Sequence, residues 1–98
     1  MFVRKDLPFE QIVVQSGHAL VESTKHSPYQ SDHPSVIICG SKSEHSLQKV
    51  VDYLKENDII QYEFREPDIG NALTAVATAP VNEEQRHLFK KFQLLRIK

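Results

Sequence analysis

Two different apolar spacings alternate along this chain, and their order constrains the fold more than any other feature. Residues 2–5 begin apolar, and residues 9–25 then repeat apolar side chains every three or four positions. This spacing predicts an amphipathic helix that starts after Pro8 and ends near Ser23 or Lys25. Residues 35–40 form a compact apolar run closed by glycine, which is typical of a buried strand. A helix between two strands predicts a right-handed parallel crossover.

The second half of the chain continues the alternation. Ser43 and Asn57 are expected to begin and end a second helix, whose buried stripe is Leu47, Val50, Val51 and Leu54. Residues 59–65 alternate as a strand, residues 66–71 form a turn, residues 73–79 form a fourth strand, and a short helix starts at residues 82–84. Because strands three and four are joined by a short link, they are expected to be antiparallel, so the sequence predicts an α/β domain with a mixed sheet.

Composition restricts the function classes. The 98 residues are expected to form one domain, and the net charge of −1 means that any nucleic-acid contact must come from a local patch. A single cysteine excludes an internal disulfide, and no segment is long and apolar enough for a signal peptide or membrane span. We therefore expect a cytoplasmic protein with no membrane partner. Three scattered glycines do not form a phosphate loop, and no cysteine–histidine set has zinc spacing.

The first helix carries the main candidate for chemistry. Its apolar face is predicted to consist of Phe9, Ile12, Val13, Ser16 and Leu20. Its polar face is predicted to consist of Gln11, Gln15, His18 and Glu22. Gln15 and His18 lie one helical turn apart near the helix start, where open α/β sheets bind ligands. Histidine suits acid–base chemistry at neutral pH, and the alternative is a surface histidine bonded to a backbone carbonyl.

Two further groups of charged residues are candidates. Glu66 and Asp68 follow the third strand on either side of Pro67, and they are expected to orient His18 or a water, or else to serve only the turn. Basic residues form two groups, one at Arg4 and Lys5 and one at the C-terminal end, and the C-terminal set is the candidate for phosphate contact: Arg86, Lys90, Lys91, Arg96 and Lys98. Alternatively, these basic residues form a solvated face, and the aliphatic parts of their side chains lie over the core.

Several segments in order resemble one known family. Arg4-Lys5-Asp6-Leu7, followed by Gln15-Ser16-Gly17-His18-Ala19, resembles the strand end and first helix of the second class of peptidyl-tRNA hydrolases, found in archaea and eukaryotes. Residues 73–77, Leu-Thr-Ala-Val-Ala, are similar to that family's Ile-Thr-Ala-Leu-Ala strand. Residues 80–84 and 90–95 most resemble the divergent branch called peptidyl-tRNA hydrolase domain-containing proteins.

This resemblance implies that residues 1–98 form one three-layer α/β/α domain around a four-stranded mixed sheet. It implies hydrolysis of the ester between a peptide and tRNA, with peptidyl-tRNA or tRNA as partner, no metal or organic cofactor, and a possible homodimer. His18 with Glu66 or Asp68 would activate water, the choice of acid depending on how the turn is aligned. Gln15 and Thr74 match positions that line the family's site, and with Arg4 and Lys5 they would bind the substrate.

One departure from the family pattern bears on activity. The family's Gly-Lys-Gly-Lys stretch is absent, and Gln11 stands where its last lysine is expected. Glutamine does not supply the positive charge that binds phosphate or polarises an ester. The sequence therefore leaves a second interpretation open, a non-catalytic module of the same fold that binds tRNA or a protein.

Overall fold

Residues 1–26 and 36–96 are described by a computed structural model. Its strands are β1 (Phe2–Arg4), β2 (Cys39–Ser41), β3 (Gln61–Glu66) and β4 (Ala72–Thr78). Its α-helices are α1 (Phe9–His26) and α2 (Glu44–Glu56), and two 3-10 helices cover Pro67–Ile69 and Glu83–Phe89. The sequence also predicts a loop over residues 26–34, because turn-forming residues are concentrated there. This loop lies almost entirely outside the described residues.

The four strands form one mixed sheet in the order β2-β1-β4-β3. β1 and β2 are parallel, whereas β4 is antiparallel to both β1 and β3. The parallel pair is joined through α1, and the antiparallel pair β3–β4 is joined by the short turn at residues 67–71. This topology confirms the predicted α/β class and the mixed four-stranded sheet.

The core consists of two clusters of buried apolar residues. One contains the α2 stripe predicted from the sequence together with Phe2, Leu73 and Val76, and the other contains Ile12 and Ala19 of α1 with Val3, Ala75 and Ala77. Neighbouring residues of β1 and β4 thus alternate between the clusters, as expected for side chains on opposite faces of a sheet.

The buried face of α1 differs from the prediction. Ile12 and Ser16 are buried as expected, but Phe9 and Val13 are exposed, and Gln15, assigned to the polar face, is only 1% exposed. The helix is rotated so that the small side chains of Ser16 and Ala19 lie against the sheet. Gln15 tolerates burial because the sheet supplies partners for its amide, as described below.

The second strand begins at Cys39 rather than at residue 35, which corrects the prediction. The short helix predicted at residues 82–84 is present, as a 3-10 helix over Glu83–Phe89. Its Asn82 and Gln85 form a reciprocal capping box, which favours a tight turn at this point. Over residues 1–26 and 36–96, no helix has the length and apolar character needed to cross a membrane.

Candidate active site

A buried glutamine is the centre of the polar network beside α1. Gln15 Nε2 donates to Glu66 Oε2 at 2.9 Å and to Gln11 Oε1 at 3.2 Å. Gln15 Oε1 accepts a hydrogen bond of 2.8 Å from Thr74 Oγ1. Both amide protons and the carbonyl oxygen of Gln15 are therefore bonded within the protein, and no N–H of this side chain is left for a substrate.

Thr74 reaches Gln15 because β4 is irregular at this position. Phe64 of β3 is opposite Ala75, but Arg65 is opposite Leu73, so Thr74 is an extra residue in the ladder. Such a β-bulge redirects a side chain out of the regular alternation. Leu73 belongs to the α2 cluster and Ala75 to the α1 cluster. The bulge turns the Thr74 hydroxyl toward α1 as well, where it meets Gln15.

Glu66 is held at the end of β3 by two donors. Its Oε2 accepts from Gln15, and its Oε1 accepts from the backbone N–H of Asp68 at 3.2 Å, which caps the following 3-10 helix. The Gln15 bond, followed by the Asp68 N–H, lowers the pKa of the Glu66 carboxyl below its ordinary value of 4.5, and His18 nearby acts in the same direction. Glu66 is therefore an oriented, ionised carboxylate at neutral pH.

His18 stands beside this carboxylate with its ring stacked on an aromatic side chain. The rings of His18 and Phe64 are nearly parallel, with their centroids 4.5 Å apart and an interplanar angle of 16°. Phe64 lies two residues before Glu66 in β3, so both side chains are on the strand face that α1 covers. Among the described residues no hydrogen bond reaches the His18 ring, which excludes a bonded backbone carbonyl from that part of the chain. The exposed imidazole can exchange a proton with a bound molecule.

The two candidate acids have different surroundings. Asp68 is exposed, and its carboxylate bonds to no other described residue, although its backbone N–H supports Glu66. The structure brings Gln15, Thr74 and Glu66 together beside His18, and it does not bring the Asp68 side chain to them. Of the two alignments left open by the sequence, the geometry favours the one that assigns the acid to Glu66.

The basic residues at the end of β1 have other roles in the structure. Arg4 forms two bonds of 2.9 Å to the carboxylate of Asp6 and donates to the Leu73 carbonyl at 3.3 Å. The Asp6 bond raises the pKa of Arg4, so this guanidinium holds the β1–α1 turn against β4. Lys5 is exposed, and its backbone N–H donates to the Ser41 carbonyl. Arg4 is thus occupied by protein groups, whereas the Lys5 side chain is accessible.

Two residues of the site were not assigned a role from the sequence. Phe64 was predicted only as part of a strand face, and Gln11 only as the position of a missing lysine. The sequence signal that could have identified Phe64 is its spacing: it lies two residues before Glu66, so both side chains are on the same face of β3. Gln11 Oε1 accepts a hydrogen bond from Gln15 Nε2, a contact that a lysine ammonium, which has no acceptor, does not make.

No family model matches this chain, and no curated protein matches it in sequence. Within residues 1–26 and 36–96, no group of three histidine, cysteine or carboxylate side chains is placed to hold a metal ion. The resemblance to peptidyl-tRNA hydrolases therefore stays a prediction based on the ordered segments of the sequence.

The Glu66 carboxylate is expected to make stability depend on pH in the acid range. Because its folded-state pKa lies below 4.5, its contribution is fully present above that pH and is lost as the pH falls through the lowered value. The difference in unfolding free energy between the wild type and Glu66→Gln should therefore shrink as the pH falls below 4.5. Urea unfolding over a pH series measures this difference.

The matched control for this experiment is Glu56→Gln at the end of α2. Its carboxylate is exposed and bonds to no other described residue, so we expect a smaller and flatter difference from the wild type. A Glu66→Gln difference that does not change with pH would mean that the bond between Gln15 and Glu66 does not stabilise the folded state.

Proposed function

We propose that this protein hydrolyses the ester that joins a peptide to the terminal ribose of a tRNA. The observation that carries the proposal is the proximity of an exposed imidazole, stacked on Phe64, to a carboxylate that a buried glutamine orients through a hydrogen bond. An oriented carboxylate beside a histidine is the arrangement that activates water in many hydrolases. The resemblance of the sequence supplies the class of ester.

In the proposed reaction the His18 imidazole removes a proton from water as the water oxygen attacks the ester carbonyl. Glu66 stabilises the resulting imidazolium and orients the water through its free lone pairs. The carbon–oxygen bond to the ribose then breaks, and the imidazolium gives its proton to the departing ribose oxygen, which becomes a hydroxyl group. The peptide leaves with a free carboxyl group, and His18 is neutral again.

The proposal changes the roles of two residues from those that the resemblance implies. Gln15 and Thr74 were expected to bind the substrate. The hydrogen-bond donors of both side chains are already used, however, in a series of bonds from Thr74 to Gln15 and from Gln15 to Glu66. We assign them to positioning the carboxylate. The exposed residues Lys5 and Asp68 remain free to contact the substrate.

A second candidate function is binding without cleavage. Gln11 favours it, because its carbonyl accepts from Gln15 and the site has no cation at this position. In that case the same surface would hold a tRNA end, and the affinity would decrease with salt as phosphate contacts are screened.

One experiment separates the two functions. The protein is mixed in excess with tRNA that carries a labelled N-acetylated amino acid, and release of the label and retention of the tRNA are followed at several salt concentrations. Release faster than the uncatalysed reaction is the expected result. Salt-dependent binding without release would favour the binding module. If the protein neither releases the label nor binds the tRNA at low salt, both functions are overturned.

A further inference from the structure

The backbone of Leu73 is bonded by two side chains on the edge where a neighbouring strand would lie. Its N–H donates to Glu44 Oε2 at 2.8 Å, and its carbonyl accepts from Arg4 Nη1 at 3.3 Å. The N–H and C=O of one strand residue point toward the same neighbouring strand. Here that neighbour would be β1, whose last pair with β4 is Val3 with Ala75. The two side chains therefore replace a strand that has already ended.

Glu44 reaches Leu73 from the side of the sheet opposite to the candidate active site. It is the first residue of α2 and follows the N-cap residue Ser43, which determines where the helix begins. α2 packs in the cluster that contains Leu73, whereas α1 packs in the cluster that contains Ala75. The Glu44 carboxylate has no part in the proposed reaction, yet it holds the strand that carries Thr74.

The position of Leu73 decides which way Thr74 points. If the ladder continued regularly after the pair of Phe64 with Ala75, Thr74 would be the next residue to pair. Because side chains alternate along a regular strand, its hydroxyl would then point to the face opposite that of Ala75, away from α1. Instead Arg65 pairs with Leu73, and the extra residue turns the Thr74 hydroxyl toward α1. The bonds to the Leu73 backbone thus hold the β-bulge in the form that the polar network needs.

We propose that Glu44 is a positioning residue for the candidate active site and acts on it through the sheet. Its carboxylate holds Leu73, and the next residue, Thr74, donates to Gln15. Gln15 in turn donates to Glu66, the carboxylate beside the imidazole. The expected effect on hydrolysis rests on the proposed function, whereas the expected effect on the hydrogen bonds of Gln15 does not.

The bond to Leu73 requires an acceptor at the full length of a glutamate side chain. Glutamine keeps that length and one acceptor oxygen but carries no charge. Aspartate keeps the charge, which suits the first turn of a helix, but its carboxylate ends one methylene nearer to the backbone. Glu44→Gln and Glu44→Asp therefore separate the reach of this side chain from its charge, and Glu44→Leu removes both.

Nuclear magnetic resonance of the Gln15 side-chain amide tests this coupling without any substrate. In the wild type both amide protons are bonded, to Glu66 and Gln11, so they should exchange slowly with water. Glu44→Leu and Glu44→Asp should shift these resonances and speed the exchange several-fold, whereas Glu44→Gln should match the wild type. Glu56→Asp is the matched control, because this α2 carboxylate is exposed and bonds to no other described residue.

Two results of this measurement would overturn the proposal. An unchanged Gln15 amide in Glu44→Leu would mean that Glu44 acts only on its own surroundings. An equal change in Glu44→Gln and Glu44→Leu would mean that the charge, and not the bond to Leu73, is responsible. Urea unfolding of each variant shows that the folded states are being compared.

Single-turnover release of labelled peptide from tRNA measures the effect on the reaction. Glu44→Asp and Glu44→Leu should slow release by about 10- to 100-fold, because a misplacement of about 1 Å at the reacting groups has an effect of that size. Glu44→Gln should release at the rate of the wild type. Release by Glu44→Leu at the full rate would overturn the positioning role. If the wild type releases nothing, the proposed function fails, and the Gln15 resonances still decide whether Glu44 positions the network.

Discussion

Replacing His18 with alanine is expected to slow peptidyl-tRNA hydrolysis by about 10²- to 10⁴-fold, the usual contribution of a positioned acid–base group. The loss of stability should be about 1 kcal/mol or less, because the ring is exposed and its main contact is the stack on Phe64. Single-turnover release of labelled peptide measures the rate, and urea unfolding measures the stability.

The matched control is His45→Ala. His45 is exposed in the first turn of α2 and belongs to neither the stack nor the network around Gln15, so its substitution should leave the rate unchanged. Equal rates for His18→Ala and the wild type would remove His18 from the mechanism, and with it the proposed reaction.

Replacing Gln15 with leucine is expected to have the larger effect on stability, about 2–3 kcal/mol, and to reduce hydrolysis as well. Leucine fills a similar volume but removes a charge-assisted hydrogen bond from Glu66. The Thr74 hydroxyl retains one partner, because it also lies 3.2 Å from the Phe64 carbonyl. The fold also loses the bond from the buried Gln15 amide to Gln11, and the pKa of Glu66 should move back toward its ordinary value as its carboxylate becomes free to turn.

Gln48→Leu provides the control for the change of side chain. Gln48 is a glutamine of α2 whose one side-chain bond within residues 1–26 and 36–96 is to the exposed carboxylate of Asp52, at 3.3 Å. Its substitution should change the unfolding free energy by no more than about 0.5 kcal/mol. If Gln15→Leu changed the unfolding free energy no more than Gln48→Leu does, the hydrogen bonds of Gln15 would not be what holds Glu66 in place.

Local sequence signals predicted the second helix almost to the residue. Ser43 accepts a hydrogen bond from the Ser46 N–H at the start of α2, and Asn57 ends it. Both effects act within one helical turn, so neighbouring residues are enough to reveal them. The second strand was less accurate, because an apolar run does not show how far a partner strand extends, and only Cys39–Ser41 pair with β1.

The position of Gln15 depends on contacts distant in the chain and was therefore missed. Its partners Glu66 and Thr74 are 51 and 59 residues away. A glutamine in a helix looks like a surface residue unless the register of β3 and β4 is known. The choice between Glu66 and Asp68 was open for the same reason, since both follow the strand and only the tertiary structure brings one of them to α1.

The irregular position in β4 has a consequence for how such a domain can change. Leu73, Ala75, Val76 and Ala77 fill the two sides of the core, while Thr74 stands outside their alternation. The anchor of the polar network is thus carried by a residue that the apolar core does not use. A substitution at this one position can therefore change how Gln15 and Glu66 are held, while the hydrophobic interior keeps its pattern.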